Sequence, residues 1–275
     1  MRIVKKLLRL RTSELRPRVD RTASRYNLPL ESPEPTMPRK DGRTPADLRP
    51  IRFERRFLKT APGSVLCSFG DTRVLCTATW VDGVPPFLQN KGQGWLTAEY
   101  GMLPGSTASR KQRDRNGKLD GRSVEIQRLI GRALRAVTDL TKLTERTLWI
   151  DCDVLQADGG TRTASITGAY VALVDCLKAM ERGRVLRGWP LKAQLGAVSV
   201  GLVDGEVRCD LDYAEDSQAD ADVNLVMTGA GEFVEVQGAA EGAPFKRAEL
   251  AAMLEMGEAA IQRIFELQRA ALEAG

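Results

Sequence analysis

A Gly-Gly pair at 159–160 followed by Thr161, Arg162, Thr163 and Ser165 is a stretch of this sequence whose residue types can do chemistry. Before it, Ile150, Cys152 and Val154 alternate with Asp151 and Asp153 as in a strand. After it, Ile166, Ala169, Tyr170, Leu173, Val174 and Leu177 recur at helical spacing. A strand that turns through glycines into a helix leaves backbone N–H groups unpaired and points the positive end of the helix dipole at one spot. An anion fits there. Arg162 adds a planar fork of donors matched to phosphate, and Thr161, Thr163 and Ser165 add hydroxyls in the first turn. The plainer reading is a turn followed by Thr/Ser capping of a buried helix. The stretch is neither a Walker A loop nor a Gly-x-Gly-x-x-Gly fingerprint, so whatever it binds is held by another geometry.

Two other segments carry charge that such a site can use. Val124, Ile126, Leu129, Ile130, Ala133, Leu134 and Val137 predict a helix over 122–137, with Arg122 at its start. A cation there opposes the macrodipole, a conflict that a bound anion resolves. Arg128, Arg132 and Arg135 read as ordinary solvent or interface positions. The segment DLDYAEDSQADAD (210–222) holds Asp210, Asp212, Glu215, Asp216, Asp220 and Asp222. Six carboxylates so close must be solvated, paired with arginines, or holding a cation. The glycine and glutamate of an EF-hand are missing from their places. Between these, residues 104–121 carry Arg110, Lys111, Arg113, Arg115 and Lys118 against Asp114 and Asp120. That loop is either a solvated excursion or a contact to a phosphate backbone.

Composition narrows the chemistry. The chain has no histidine, which removes Ser-His-Asp triads, Cys-His dyads, His-based zinc sites and imidazole bases together. What remains is carboxylates, Arg/Lys, hydroxyls and an oxygen-liganded divalent metal. Five scattered cysteines without a Cys-x-x-Cys pair argue against a disulfide framework or structural zinc and suit a reducing cytoplasm. No apolar run is long enough to span a membrane. The net charge of +5 is misleading, because the first 43 residues carry 12 Lys/Arg against 5 Asp/Glu and leave the rest of the chain slightly acidic.

The elements that must position these groups are legible in outline. Strands are expected over 51–58, 64–69, 73–81 and 95–103, hairpins over 193–211 (turning at Asp204-Gly205) and 223–237, and a long amphipathic helix over 246–272. The mixture points to an α+β domain with hairpins over 46–275 rather than a purely parallel sheet. Residues 1–45 differ: basic, amphipathic at the start and then Pro-rich, they read as a flexible extension. An RNA-touching arm, a membrane-surface helix and a targeting peptide are the functional readings of the same segment.

Brought together, Arg122, the 160–165 turn with Arg162, and a carboxylate pair from 210–222 would hold inorganic phosphate beside Mg²⁺. A basic loop would guide in a polyanionic chain. That is phosphorolysis of RNA from its end, and it needs no histidine. At this point the sequence resembles the ribonuclease PH family through LRPI (48–51), GSVLCSFGDTRVLCTA (63–78), GVPPFLQNKGQGWLTAEYGMLP (83–104), GRSVEIQRLIGRALRAVTDL (121–140), CDVLQADGGTRTASITGAYVAL (152–173), EDS (215–217) and MTGAGEFVEVQGAAEG (227–242). The likeness runs from about residue 47 to 271, in the family's order.

The resemblance implies a ribosomal-protein-S5-domain-2-like fold and a homohexameric ring built as a trimer of dimers. It implies phosphate-dependent 3′→5′ trimming of precursor tRNA in the cytoplasm, reversible by nucleotide addition from diphosphates, with Mg²⁺ or Mn²⁺ and no membrane. By position, the family's phosphate arginine falls on Arg122 and its phosphate loop on Gly160, Thr161 and Arg162. Its metal and catalytic aspartates fall on Asp216 and Asp222, which leaves Asp210 and Asp212 structural. Two RNA-binding arginines fall on Arg110 and Arg113, whereas the one after Leu-Pro is replaced by Gly105. A catalytically silent RNA-binding ring subunit and a hydrolytic nuclease are the competing expectations.

Overall fold

The computed structural model describes residues 39–113, 120–242 and 244–274. In order these form β1 (Ile51–Arg55), β2 (Gly63–Phe69), β3 (Thr72–Asp82), β4 (Trp95–Met102), α1 (Gly121–Ala136), β5 (Arg146–Gln156) and α2 (Thr161–Arg182). They continue as β6 (Leu195–Val203), β7 (Glu206–Cys209), α3 (Tyr213–Asp216), β8 (Ala221–Thr228), β9 (Phe233–Ala240) and α4 (Arg247–Glu273). The fold is α+β. One sheet has the order β1-β2-β3-β5-β4 and the other β7-β6-β8-β9. Pairing is antiparallel except between β4 and β5, which run parallel because α1 crosses between them.

α2 lies between the sheets. Its first 17 residues are buried except Arg162, which a helix apolar on every side requires. Gly168 lets it approach the first sheet, where a Cβ would stand 2.6 Å from Cys67 Cβ and 2.8 Å from Cys76 Sγ. On the other side, Thr167 Oγ1 accepts from the Ala197 N–H of β6 at 3.1 Å. α4 covers the second sheet, with Ile261 and Phe265 against Gly196. α1 packs on β4, and Arg135 lies 4.7 Å above the Trp95 ring. All five cysteines are free and buried, and burial pushes the Cys176 and Cys209 thiols up to about 12, so neither is a nucleophile at neutral pH.

Two expected strands end early. β1 ends at Arg55 because Arg56 turns with φ 57°. β7 stops at Cys209 because Asp210 takes φ 50° and swings its carboxylate inward to Arg49. The acidic segment is not a plain loop: Asp212 caps α3, accepting from the Glu215 N–H at 2.9 Å while Glu215 reaches back to the Asp212 N–H. Most of the extension expected over 1–45 lies outside the described residues. Its last part, however, is packed into the domain, since Arg39 is buried and donates to the Cys209 carbonyl at 2.8 Å and to Glu215 Oε1 at 2.7 Å.

Candidate active site

The turn between β5 and α2 requires glycine for two reasons. Gly159 and Gly160 take φ 70° and 62°, in the left-handed region that side chains disfavour. A Cβ on Gly159 would also stand 2.4 Å from the Leu211 carbonyl oxygen and 2.8 Å from the Asp212 carbonyl carbon, so this turn rests directly on the acidic segment. Thr72 pins it, donating to the Gly159 carbonyl at 2.7 Å and accepting from the Asp158 N–H at 2.9 Å. Gly160 is the N-cap of α2 and has no side chain to bond the exposed helix end. The first N–H groups of α2 are therefore left for another acceptor.

The hydroxyls divide differently from the sequence reading. Thr163 Oγ1 donates to the Gly160 carbonyl at 2.9 Å and Ser165 Oγ to the Thr161 carbonyl at 2.8 Å, so both are committed inside the helix. Thr161 Oγ1 shares a hydrogen bond of 2.9 Å with the buried Tyr100 hydroxyl. The donors that remain are backbone N–H groups and arginines.

Arg122 is exposed at the second position of α1, and its own N–H is capped by Asp120 at 3.4 Å, which eases the dipole conflict. Arg162 leans toward β9, donating to Gln237 Oε1 and lying 3.5 Å from Glu125 Oε1. Both cations act on the same neighbours. Burial raises the Tyr100 pKa, and the Thr161 hydrogen bond, Arg122 and Arg162 pull it back. Burial, then Asp222, raises the Asp216 pKa against the pull of Arg122, Arg162 and Arg49. Asp222, second in β8, is likewise raised by burial and Glu241, opposed by Arg162 and by a 3.1 Å hydrogen bond from Asn224. Arg122 of α1 and Arg162 of α2 thus both act on Asp216 and on Tyr100, which is hydrogen-bonded to Thr161, and Arg162 acts on Asp222 as well.

Asp216 and Asp222 are half-buried, and Asp222 adds to the rise of the Asp216 pKa, so the pair gains from a cation. Hard oxygen donors of this kind fit Mg²⁺ or Mn²⁺, which takes one or two protein carboxylates and fills its other positions with water and phosphate. Among the described residues no larger cluster of His, Cys, Asp and Glu competes as a metal site.

Arg110 and Arg113 are exposed on the loop leading toward α1, and Lys111 is 3.7 Å from Asp120 at the start of that helix. Arg115 and Lys118 lie outside the described residues. Gly105 is exposed, with nothing within 4 Å of where a Cβ would stand.

The sequence reading missed what lies beneath the site. Arg49, 4% exposed, binds both oxygens of the buried Asp210 (Nη2–Oδ1 2.7 Å, Nε–Oδ2 3.1 Å), and its Nη1 donates to the Asp158 carbonyl. Arg39 and Arg43 donate to the Asp210 carbonyl at 3.1 and 2.9 Å, and Arg208 stands 3.6 Å from Glu215. The signal was Arg49 in LRPI, a cation followed by proline, with no periodicity to say where its partner lay.

With this geometry in hand, comparison with known proteins is specific. The family model "3′ exoribonuclease family, domain 1" matches residues 47–178 and "domain 2" matches residues 193–260. Among solved structures, rice (Oryza sativa) Rrp46 is similar at 24% identity and TM-score 0.70, over 86% of this chain and 100% of that one. The Archaeoglobus fulgidus exosome with RNA bound to the active site is similar at 21% and 0.72, over 83% and 92%. An archaeal exosome core is similar at 20% and 0.70, over 84% and 91%. At these identities the structures establish the shared fold.

Proposed function

The chain belongs to the 3′ exoribonuclease (RNase PH) family, and from that premise we propose that it shortens RNA from the 3′ end by phosphorolysis. What supports this reading most is that Arg122 and Arg162, the second in the first turn of a helix whose end no side chain caps, both act electrostatically on Asp216. Arg122, Arg162 and the N–H groups at Gly160 and Thr161 hold inorganic phosphate with one oxygen toward the terminal phosphodiester. That oxygen forms a bond to phosphorus, and the bond from phosphorus to the 3′ oxygen of the preceding nucleotide breaks. The 3′ hydroxyl leaves with a proton, and a nucleoside 5′-diphosphate is released. The reverse reaction adds a nucleotide.

Asp216 and Asp222 would hold Mg²⁺ or Mn²⁺, which supplies charge neutralisation at the reacting phosphates. Burial of these carboxylates keeps water from screening their fields. Arg110 and Arg113 bind the RNA backbone upstream, with precursor tRNA 3′ ends as substrate. A homohexamer, a trimer of dimers in the cytoplasm, is the assembly we expect; light scattering reads its mass.

A second reading, a catalytically silent RNA-binding ring subunit, draws support from the solved relatives, two of which are exosome assemblies. The presence of Arg122, Arg162, Asp216 and Asp222 together supports turnover instead. The deciding experiment incubates the full chain with 3′-extended tRNA, with and without phosphate and Mg²⁺. Diphosphate products that require phosphate support phosphorolysis. Tight RNA binding without products supports the silent subunit, and monophosphates released without phosphate mean hydrolysis.

A further inference from the structure

We propose that Arg49 is a positioning residue that sets the spacing between the anion-binding turn and the aspartate-bearing segment; this rests on the phosphorolytic site proposed above. The two pieces come from different parts of the chain and touch at Gly159, against Leu211 and Asp212. They are also joined at one point by a hydrogen bond from the Tyr213 N–H to Asp158 Oδ1 at 3.1 Å. Arg49 joins them by one rigid plane: Nε and Nη2 grip Asp210, and Nη1 holds the carbonyl of Asp158, the residue before the glycines. Its backbone N–H also donates to Asp210 Oδ2 at 2.7 Å, so the plane is anchored at both ends. A Cβ on Gly160 would stand 3.2 Å from Nη2, which places the guanidinium directly under the turn. Its charge also reaches Asp216.

Lysine cannot replace this geometry. A single ammonium can serve the carboxylate or the carbonyl, and it lacks the fixed fork that holds both at a set separation. Arg49→Lys keeps the charge and removes the ruler, so phosphate affinity falls through displacement of Gly160–Arg162, with RNA binding less affected.

The fold contains a matched control. Arg55 grips Asp175 through Nε (2.9 Å) and Nη2 (2.6 Å), while its Nη1 donates to the Ala271 carbonyl at 2.7 Å. The pattern is the same, but Asp175 stands about 21 Å along α2 from Thr161. Arg49→Lys and Arg55→Lys are compared for melting point, kcat, the KM for phosphate and the KM for RNA. Inorganic phosphate's effect on melting point is measured separately, without turnover. Both variants should melt earlier. Only Arg49→Lys should raise the KM for phosphate, by about tenfold or more, since misplacement of about an ångström costs that much, and only it should lose the phosphate-induced rise in melting point. Equal effects of the two variants, or an unchanged KM for phosphate in Arg49→Lys, overturn the proposal. If Arg49→Lys does not fold, Asp210→Asn tests the same bridge, asparagine being at home at the positive φ of that position. An unchanged KM for phosphate there overturns it too. Absence of phosphate-dependent products from the parent chain counts against phosphorolysis, whereas the melting-point arm still decides the role of Arg49.

Discussion

At the scale of single residues, the candidate site is made of groups that the fold pays to keep. Burial and Asp222 raise the Asp216 pKa, so folding favours the protonated acid. That contribution is complete below the unfolded value and is lost as pH rises through the folded one. At pH 7 the ionised carboxylate is therefore a stability cost, and Asp216→Asn should melt higher than the parent while losing turnover. The gain should shrink as pH falls toward the ordinary value of 3.8, which thermal melts across pH 3.5–7 will read. Mg²⁺ should raise the melting point of the parent and not of an Asp216→Asn/Asp222→Asn double variant. Arg122→Ala should reduce kcat/KM at least about a hundredfold, as loss of one preorganised charge contact does, with an unchanged melting point because the side chain is exposed.

At the scale of elements, the turn into α2 and the basic loop make separate demands. Gly159→Ala adds a methyl where the Leu211 carbonyl already stands, at a positive φ. It should push α3 away and lower phosphate-dependent turnover more than it lowers the melting point, with activity and melting curves measured on the same preparation. The basic loop is the opposite case, an element with room to spare. Gly105→Arg places an arginine where the resemblance to the family implies one, into open space. RNA affinity should rise, and the slope of log affinity against log salt should steepen by about 0.7–0.9, one additional phosphate contact.

At the scale of the whole molecule, the site is a seam. Its anion-binding part hangs from the first sheet and α2, its acidic part from β7, α3 and β8, and the buried Arg49 ties the two together. Arg39 braces the acidic part itself, with side-chain exposure of 1% against 11% for Glu215. Breaking a buried pair from one side strands the other charge, so Arg39→Ala should cost about 3 kcal/mol, read by urea unfolding. Glu215 then keeps the Asp212 N–H and the longer ion pairs to Arg43 and Arg208, at 3.7 and 3.6 Å.

The sequence alone determined the longer elements, though not α3, because each is written in a local period: the alternation of β5, the 3.6-residue spacing of α1 and α2, the Asp-Gly turn between β6 and β7. It also excluded histidine chemistry and marked Gly160–Arg162 and Arg122 as anion-seeking, since a helix end and a misplaced cation are local facts. It did not distinguish the six carboxylates of 210–222 by spacing; resemblance to a family made that choice. The tertiary structure sorted them physically: Asp210 onto Arg49, Asp212 onto the α3 cap, Asp216 and Asp222 toward the arginines. Arg49 and Asp210 are 161 residues apart and Arg39 and Glu215 are 176 apart. No periodicity reaches that far, because which buried charges meet is decided by how the two sheets close on α2.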